Sequence, residues 1–200
     1  MDDERDDDWD DSVSLRLACL ALDRGRLTDD LVTALAVRGA LLVDLTLRGR
    51  VTETVDAVEF DHRPSGFPPA DHLLADGAPS VLELLRRGRV DQEDLAAEHL
   101  RRGSWTRRRR LLGSRYVDHR AERTQQDERA GTSSDRRRWT PPDAALNAIA
   151  GILGLLPSGR ALPTEELLAA TGPARGLVEL VIDEVNQRIV HGRAALWADE

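Results

Sequence analysis

The chain has 200 residues, 40% hydrophobic and 32% charged, with a formal net charge of −8, which is enough apolar material for one domain with a core and too much charge for an integral membrane protein. No run approaches the roughly 20 apolar residues of a spanning helix. The opening MDDERDDDWDD inverts the basic-then-apolar order of a secretory signal. One cysteine, Cys19, forms neither an internal disulfide nor a metal site by itself. A cytoplasmic protein is expected.

Residues 1–11 carry eight acids against Arg5, so 1–12 is expected to be a disordered acidic tail, placed to solubilise the chain or to shield a basic segment in cis. A single helical domain is expected over 13–200. Val13, Leu17, Leu20 and Ala21 share a helix face, closed by Asp23-Arg24-Gly25. Thr28 and Asp29 are candidate caps for a helix over about 30–48, whose stripe is Leu31, Leu35, Arg38, Leu42 and Leu45. The arginine in that stripe must snorkel, pair with an acid, or meet a ligand. RVTETVDAVEF (50–60) reads as a short hairpin, and the proline-rich 62–70 as a loop. Helices follow over about 70–76, 80–87 and 90–102, then two strands over 104–117 turning near Gly113. Residues 121–138 are polar without periodicity, which predicts a frayed helix and a mobile loop around 131–135. Helices over about 143–156, 163–170 and 174–191 complete the chain. The fold class is therefore mainly α, a compact helical domain with two small β-hairpins. The absence of βαβ alternation argues against a doubly wound nucleotide-binding fold.

Charge is strongly segregated. Residues 101–138 hold thirteen arginines against five acids, and the chain has no lysine at all. A basic segment on an acidic protein points to a localised anionic partner, or simply to a solvated face. No P-loop, GxGxxG, GxSxG, HExxH or CxxC occurs. The five histidines are scattered, so no metal site, cofactor or catalytic residue is assigned, and the chain is not expected to be an enzyme. His99, on an apolar helix face, and Cys19, within the first helix, read as packed core residues.

The stretch SLRLACLALDRGRLTDDLVTALAVRGALLVDLTLRGRV (14–51) resembles the opening of the Golgi phosphoprotein 3 family, with VRGALL (37–42) and LTLRGRV (45–51) as its most specific blocks. RPSG (63–66) resembles the loop before that family's next helix, and LAAEHLRRG (95–103) the helix before its hairpin. The resemblance runs to about residue 117. It implies a non-enzymatic adaptor, peripheral at the cytosolic face of a membrane, that binds phosphatidylinositol 4-phosphate in a surface pocket and the cytosolic tails of membrane proteins. Carried over residue by residue, Asp29 stands where the family has a tryptophan, and Arg38 matches the family's arginine. The family's two further basic positions fall at Arg89 and Gln92. Asp29 would repel a phosphate, and Gln92 lacks the charge. The family's membrane-inserting, self-associating hairpin aligns with RRRLLGSRYVDH (108–119), with Leu111, Leu112 and Tyr116 as its apolar part.

Arginine suits phosphate because its planar fork donates two parallel, charge-assisted hydrogen bonds. On this reading Arg108, Arg109, Arg110 and Arg115 face anionic headgroups, each contributing about 1 kcal/mol and less in salt. Leu111 and Leu112 enter the interface for roughly 1.5–3 kcal/mol per buried side chain. The competing readings are specific. Arg38 pairs with Asp29, Asp44 or another acid, and the leucine pair packs in the core. The arginine-rich 101–138 segment binds nucleic acid, or the hairpin or C-terminal helix serves protein–protein assembly, including a homo-oligomer.

Overall fold

A computed structural model describes residues 9–28, 30–53, 58–76, 80–110, 113–132 and 139–198. In chain order they form α1 (Val13–Leu20), α2 (Leu31–Leu47), β1 (Val51–Glu53), β2 (Val58–Phe60), α3 (Pro68–Ala75), α4 (Val81–Arg87) and α5 (Gln92–Arg101). The strands β3 (Trp105–Arg110) and β4 (Gly113–Asp118) follow, then α6 (Ala121–Thr132), α7 (Pro141–Leu153), α8 (Glu165–Ala170) and α9 (Arg175–Ala198). The domain is mainly helical, and each strand pair is a separate two-stranded antiparallel sheet, as the sequence predicts.

Helix α2 is the axis. Its sequence LVTALAVRGALLVDLTL is apolar on nearly every side, and a helix of that kind belongs in the interior. Positions 35–45 are all buried, and α1, α7 and α9 pack around them. Gly39 sets the closest crossing, since a Cβ there would lie 2.6 Å from both Val181 methyls on α9. Asp44, 1% exposed, accepts the amides of Val13 at 2.8 Å and Ser14 at 2.9 Å. One helix thereby satisfies the orphan donors at the start of another. The remaining helix starts follow local rules. Ser12, Asp30, Ser80, Asp91, Thr140 and Thr164 each accept a backbone amide through the side chain.

Three segments differ from the sequence expectation. The acidic tail does not reach residue 12. Trp9 is 1% exposed, stacks on Phe67 at 4.2 Å and lies under Arg48, whose guanidinium carbon is 4.0 Å from the ring centroid. Burying an indole outweighs the charge of the acids around it, so the ordered domain includes 9–12; residues 1–8 lie outside the described ones. Second, α6 is continuous from 121 to 132 although its own sequence is polar. A tertiary contact holds it. Arg16 of α1, 9% exposed, donates from Nε and Nη2 to Asp127 at 3.0 and 2.6 Å, and from Nη2 to Asp143 of α7 at 2.8 Å. Third, Leu31 leaves the stripe assigned to it. With Asp30 as N-cap it occupies the first helical position and is 73% exposed.

Candidate anion-binding site

The loop between α1 and α2, the start of α2, the start of α5 and residue 89 enclose an open groove of about 520 Å³. Arg38, Arg89 and Gln92 all line it, so three of the four residues singled out for a headgroup pocket come together; Asp29 lies outside the described residues. Their roles differ. Arg38 is 7% exposed and reaches across to the end of α4, donating from Nε to the Leu85 carbonyl at 2.7 Å and from Nη1 to the Val90 carbonyl at 3.1 Å. A cation against carbonyls at a helix C-terminus is favourable. Gly88 leaves room for this crossing, since a Cβ there would lie 2.7 Å from Arg38 Cδ and 2.5 Å from the Leu84 carbonyl oxygen. Burial lowers the Arg38 pKa, and Asp91 and Asp76 oppose that shift. Arg38 therefore snorkels to carbonyl oxygens and pairs with no acid among the described residues; Asp44, one of the acids offered for it, is committed to the start of α1. Arg38 Nη2 has no hydrogen bond among the described residues.

Arg89 is exposed, and its backbone amide donates to Asp76 Oδ2 at 3.0 Å while its guanidinium has no partner among the described residues. Gln92, 3% exposed, is a strut and not a free ligand. Its Oε1 accepts the Thr28 amide at 2.6 Å and its Nε2 donates to the Ala18 carbonyl at 3.4 Å, which ties the α1–α2 loop to α5. Three carboxylates also line the groove, Asp30, Asp91 and Glu93. Asp30 accepts the amide and hydroxyl of Thr33, and Asp91 the amide of Glu93. Glu93 is exposed.

The β3–β4 hairpin bonds to the α1–α2 loop that leads into the groove. Its register sets Arg107 opposite Tyr116, Arg108 opposite Arg115 and Arg109 opposite Ser114. The inner face is anchored. Trp105 is 1% exposed, Tyr116 lies 5.6 Å from it, and Arg107 lies over Tyr116 and donates to Ser114 Oγ at 2.8 Å. Tyr116 is thus a half-buried support, not part of an apolar tip. Arg108, Arg109 and Arg115 are exposed and make no hydrogen bond or ion pair among the described residues. The Arg110 side chain, Leu111 and Leu112 lie outside the described residues.

A loop joins hairpin and groove. The Tyr116 amide donates to the Gly25 carbonyl at 2.8 Å, and Gly25, at φ +80°, has no room for a Cβ, which would sit 2.7 Å from the Tyr116 carbonyl oxygen. Arg24 and Arg26, exposed on that turn, extend the basic surface towards Leu27 and Thr28, which line the groove. As site residues Arg24, Arg26 and the rim residue Leu31 all escaped the sequence reading, which placed Leu31 in the α2 stripe and Arg24 at the close of the first helix. DRGR marks a turn, but nothing in it says what the turn docks against.

Arginines at the hairpin base are neutralised, unlike those on its blade. Asp10 accepts from Arg102 at 2.7 Å and Arg120 at 2.8 Å, and these two, Arg120 foremost, hold its carboxyl below the usual range. Glu98 takes Arg101 at 2.6 Å and also Arg102. Beneath the base, His99 stacks on Trp105 at 4.2 Å and contacts Ser104 Oγ at 2.8 Å, the Leu15 carbonyl at 3.1 Å and Cys19 Sγ at 3.7 Å. Burial pushes the His99 pKa down to about 4 and the Cys19 thiol up to about 12. The pair is neutral, the opposite of an activated thiolate–imidazolium, and both residues act as core, as their helix positions predict. No cluster of metal-binding side chains occurs among the described residues, and no described helix is long and apolar enough to cross a membrane. Compared with models of known families and with curated proteins, the chain matches none.

Proposed function

We propose that this protein docks peripherally on anionic membranes, with the β3–β4 blade against the lipid surface and the adjoining groove receiving a phosphate-bearing headgroup. One observation carries the reading: Arg108 and Arg115 face each other across the hairpin with no acid to separate them. Like charges directly opposite are destabilising in a sheet, and an anionic surface removes that cost. Two features support it. The exposed Arg24 and Arg26 lie on the turn that the hairpin holds through the Tyr116–Gly25 bond, and the groove's two arginines keep donors uncommitted among the described residues. The resemblance to the Golgi phosphoprotein 3 family points the same way and offers phosphatidylinositol 4-phosphate as the first headgroup to examine. A role as adaptor for membrane-protein tails, or self-association, would build on this docking.

At about 1 kcal/mol for each of Arg108, Arg109 and Arg115, the blade contributes roughly a hundredfold in partitioning at low salt. Sedimentation with phosphatidylcholine vesicles, alone and with phosphatidylglycerol or phosphatidylinositol 4-phosphate, tests this. Binding should need the anionic lipid, weaken with salt and fall steeply in the Arg108→Ser/Arg115→Ser variant. Equal, negligible binding to neutral and anionic vesicles refutes it. Salt-sensitive retention of a short RNA or DNA without vesicle binding would transfer the basic face to nucleic acid.

A further inference from the structure

We infer that the groove is built for a zwitterionic phosphoethanolamine headgroup, the phosphate against Arg38 and Arg89 and the ammonium against the carboxylates of Asp30, Asp91 and Glu93. The inference deepens the docking reading and rests on it: the blade senses negative charge, and the groove reads headgroup chemistry.

The charge of the walls is the starting point. Two guanidinium groups face three carboxylates in one groove of about 520 Å³, a size ordinary for a small-ligand site. A headgroup that is anionic throughout gains from the first set and is repelled by the second. A headgroup with one phosphate and one ammonium is matched at both ends. Arg38 and Arg89 make no direct ion pair with the groove acids among the described residues, although the Asp91 charge bears on Arg38, so the guanidinium donors stay open to a ligand. Arg38 is itself more than nine-tenths buried, with two of its nitrogens held by carbonyls and Nη2 unengaged, so it is a fixed donor and not a mobile surface charge. On the acidic side, Asp30 and Asp91 are held in place by their capping bonds. Carboxylate oxygens accept more than one hydrogen bond each, so capping leaves capacity for a ligand. A primary ammonium supplies three N–H donors to such acceptors, whereas a choline trimethylammonium supplies none. The exposed Leu31 at the rim gives the apolar contact that a lipid's glycerol and chains seek and that free phosphate does not.

The test uses the full chain in two arms. In the first, vesicles of fixed phosphatidylglycerol content carry either phosphatidylethanolamine or phosphatidylcholine as the remainder. In the second, water-soluble glycerophosphoethanolamine, glycerophosphocholine and inorganic phosphate are titrated and followed by NMR shifts. The ethanolamine forms should bind at least about threefold more tightly than the choline forms, the scale of an exposed ion pair. Glu93→Gln and Arg89→Ala are both at exposed positions, and their folding is checked by circular dichroism; Glu93→Gln should erase that preference, and Arg89→Ala should weaken the ethanolamine and choline forms alike. Equal affinity for the two soluble headgroups, or a preference for phosphatidylinositol 4-phosphate or inorganic phosphate over the ethanolamine form, overturns the inference even when vesicles are bound. Saturable, Glu93-dependent binding of the soluble ethanolamine headgroup without vesicle binding upholds the groove assignment and removes the docking reading.

Discussion

Acidification should destabilise this protein through His99. In the folded state His99 sits at 2% exposure with its ring on Trp105 and its pKa near 4, against an ordinary value of 6.5. Desolvation, the largest cause, disfavours the imidazolium. The unfolded chain therefore takes up a proton near pH 6.5, while the folded chain resists until about pH 4. Stability is intact above pH 6.5 and is lost as pH falls through that window, at about 1.4 kcal/mol per pH unit. Between pH 7.5 and 5.0 the loss is about 2 kcal/mol, and it reaches about 3 kcal/mol near pH 4. The other four histidines, His62, His72, His119 and His191, are exposed, and the depressed carboxylates act only nearer their own lower range. Urea unfolding followed by tryptophan fluorescence at several pH values between 5.0 and 7.5 measures the slope. His99→Asn should flatten it while lowering stability at pH 7.5. Buried Asp44, whose pKa desolvation raises, contributes with the opposite sign in both proteins, so a His99→Asn variant that keeps the wild-type slope refutes the argument that burial controls His99.

Three further outcomes follow from the geometry. Arg16→Met leaves Asp127, 8% exposed, without its bidentate partner; breaking a buried pair costs about 3–5 kcal/mol, and hydrogen exchange should show residues 121–132 losing protection first. Gly39→Ala drives a methyl into Val181 and should cost about 1–3 kcal/mol as overpacking, read as a lower urea midpoint at an unchanged slope. Arg108→Glu places an acid opposite Arg115, so it should leave thermal stability equal or up to about 1 kcal/mol higher while weakening binding to phosphatidylglycerol vesicles. Stability and binding moving in opposite directions separates a functional arginine from a structural one.

What could be read in advance was mostly local. The apolar stripe of α2, the polar start of that helix near residues 28–30 and the Gly113 turn each act within a few residues, and the helices and hairpins they imply are present, with Asp30 as the α2 cap. The failures have long-range causes. Nothing near Asp127 announces that Arg16, 111 positions away, will hold α6 together. Trp9 is one indole among acids, and its burial depends on Phe67 and Arg48. At the site, the family resemblance implied a shared pocket for Arg38 and Arg89, and both line one groove. The sequence did not indicate that the carbonyls of Leu85 and Val90 would occupy two of the Arg38 nitrogens, nor that Gln92 would be consumed as a brace. Backbone acceptors carry no side-chain signature, so their demand on a cation is visible only once the chain is folded.

The bonds from Asp44 to the first amides of α1 make two helices thermodynamically inseparable. If α1 frays from its beginning, the buried Asp44 loses both amide donors and keeps, among the described residues, only Arg48, 3.6 Å away at the end of its own helix, so that opening is penalised beyond the loss of two ordinary contacts. The first two helices should therefore exchange their amide protons as one cooperative unit, and a nascent chain gains a lasting α1 only after the residues through Leu47 have coiled against it.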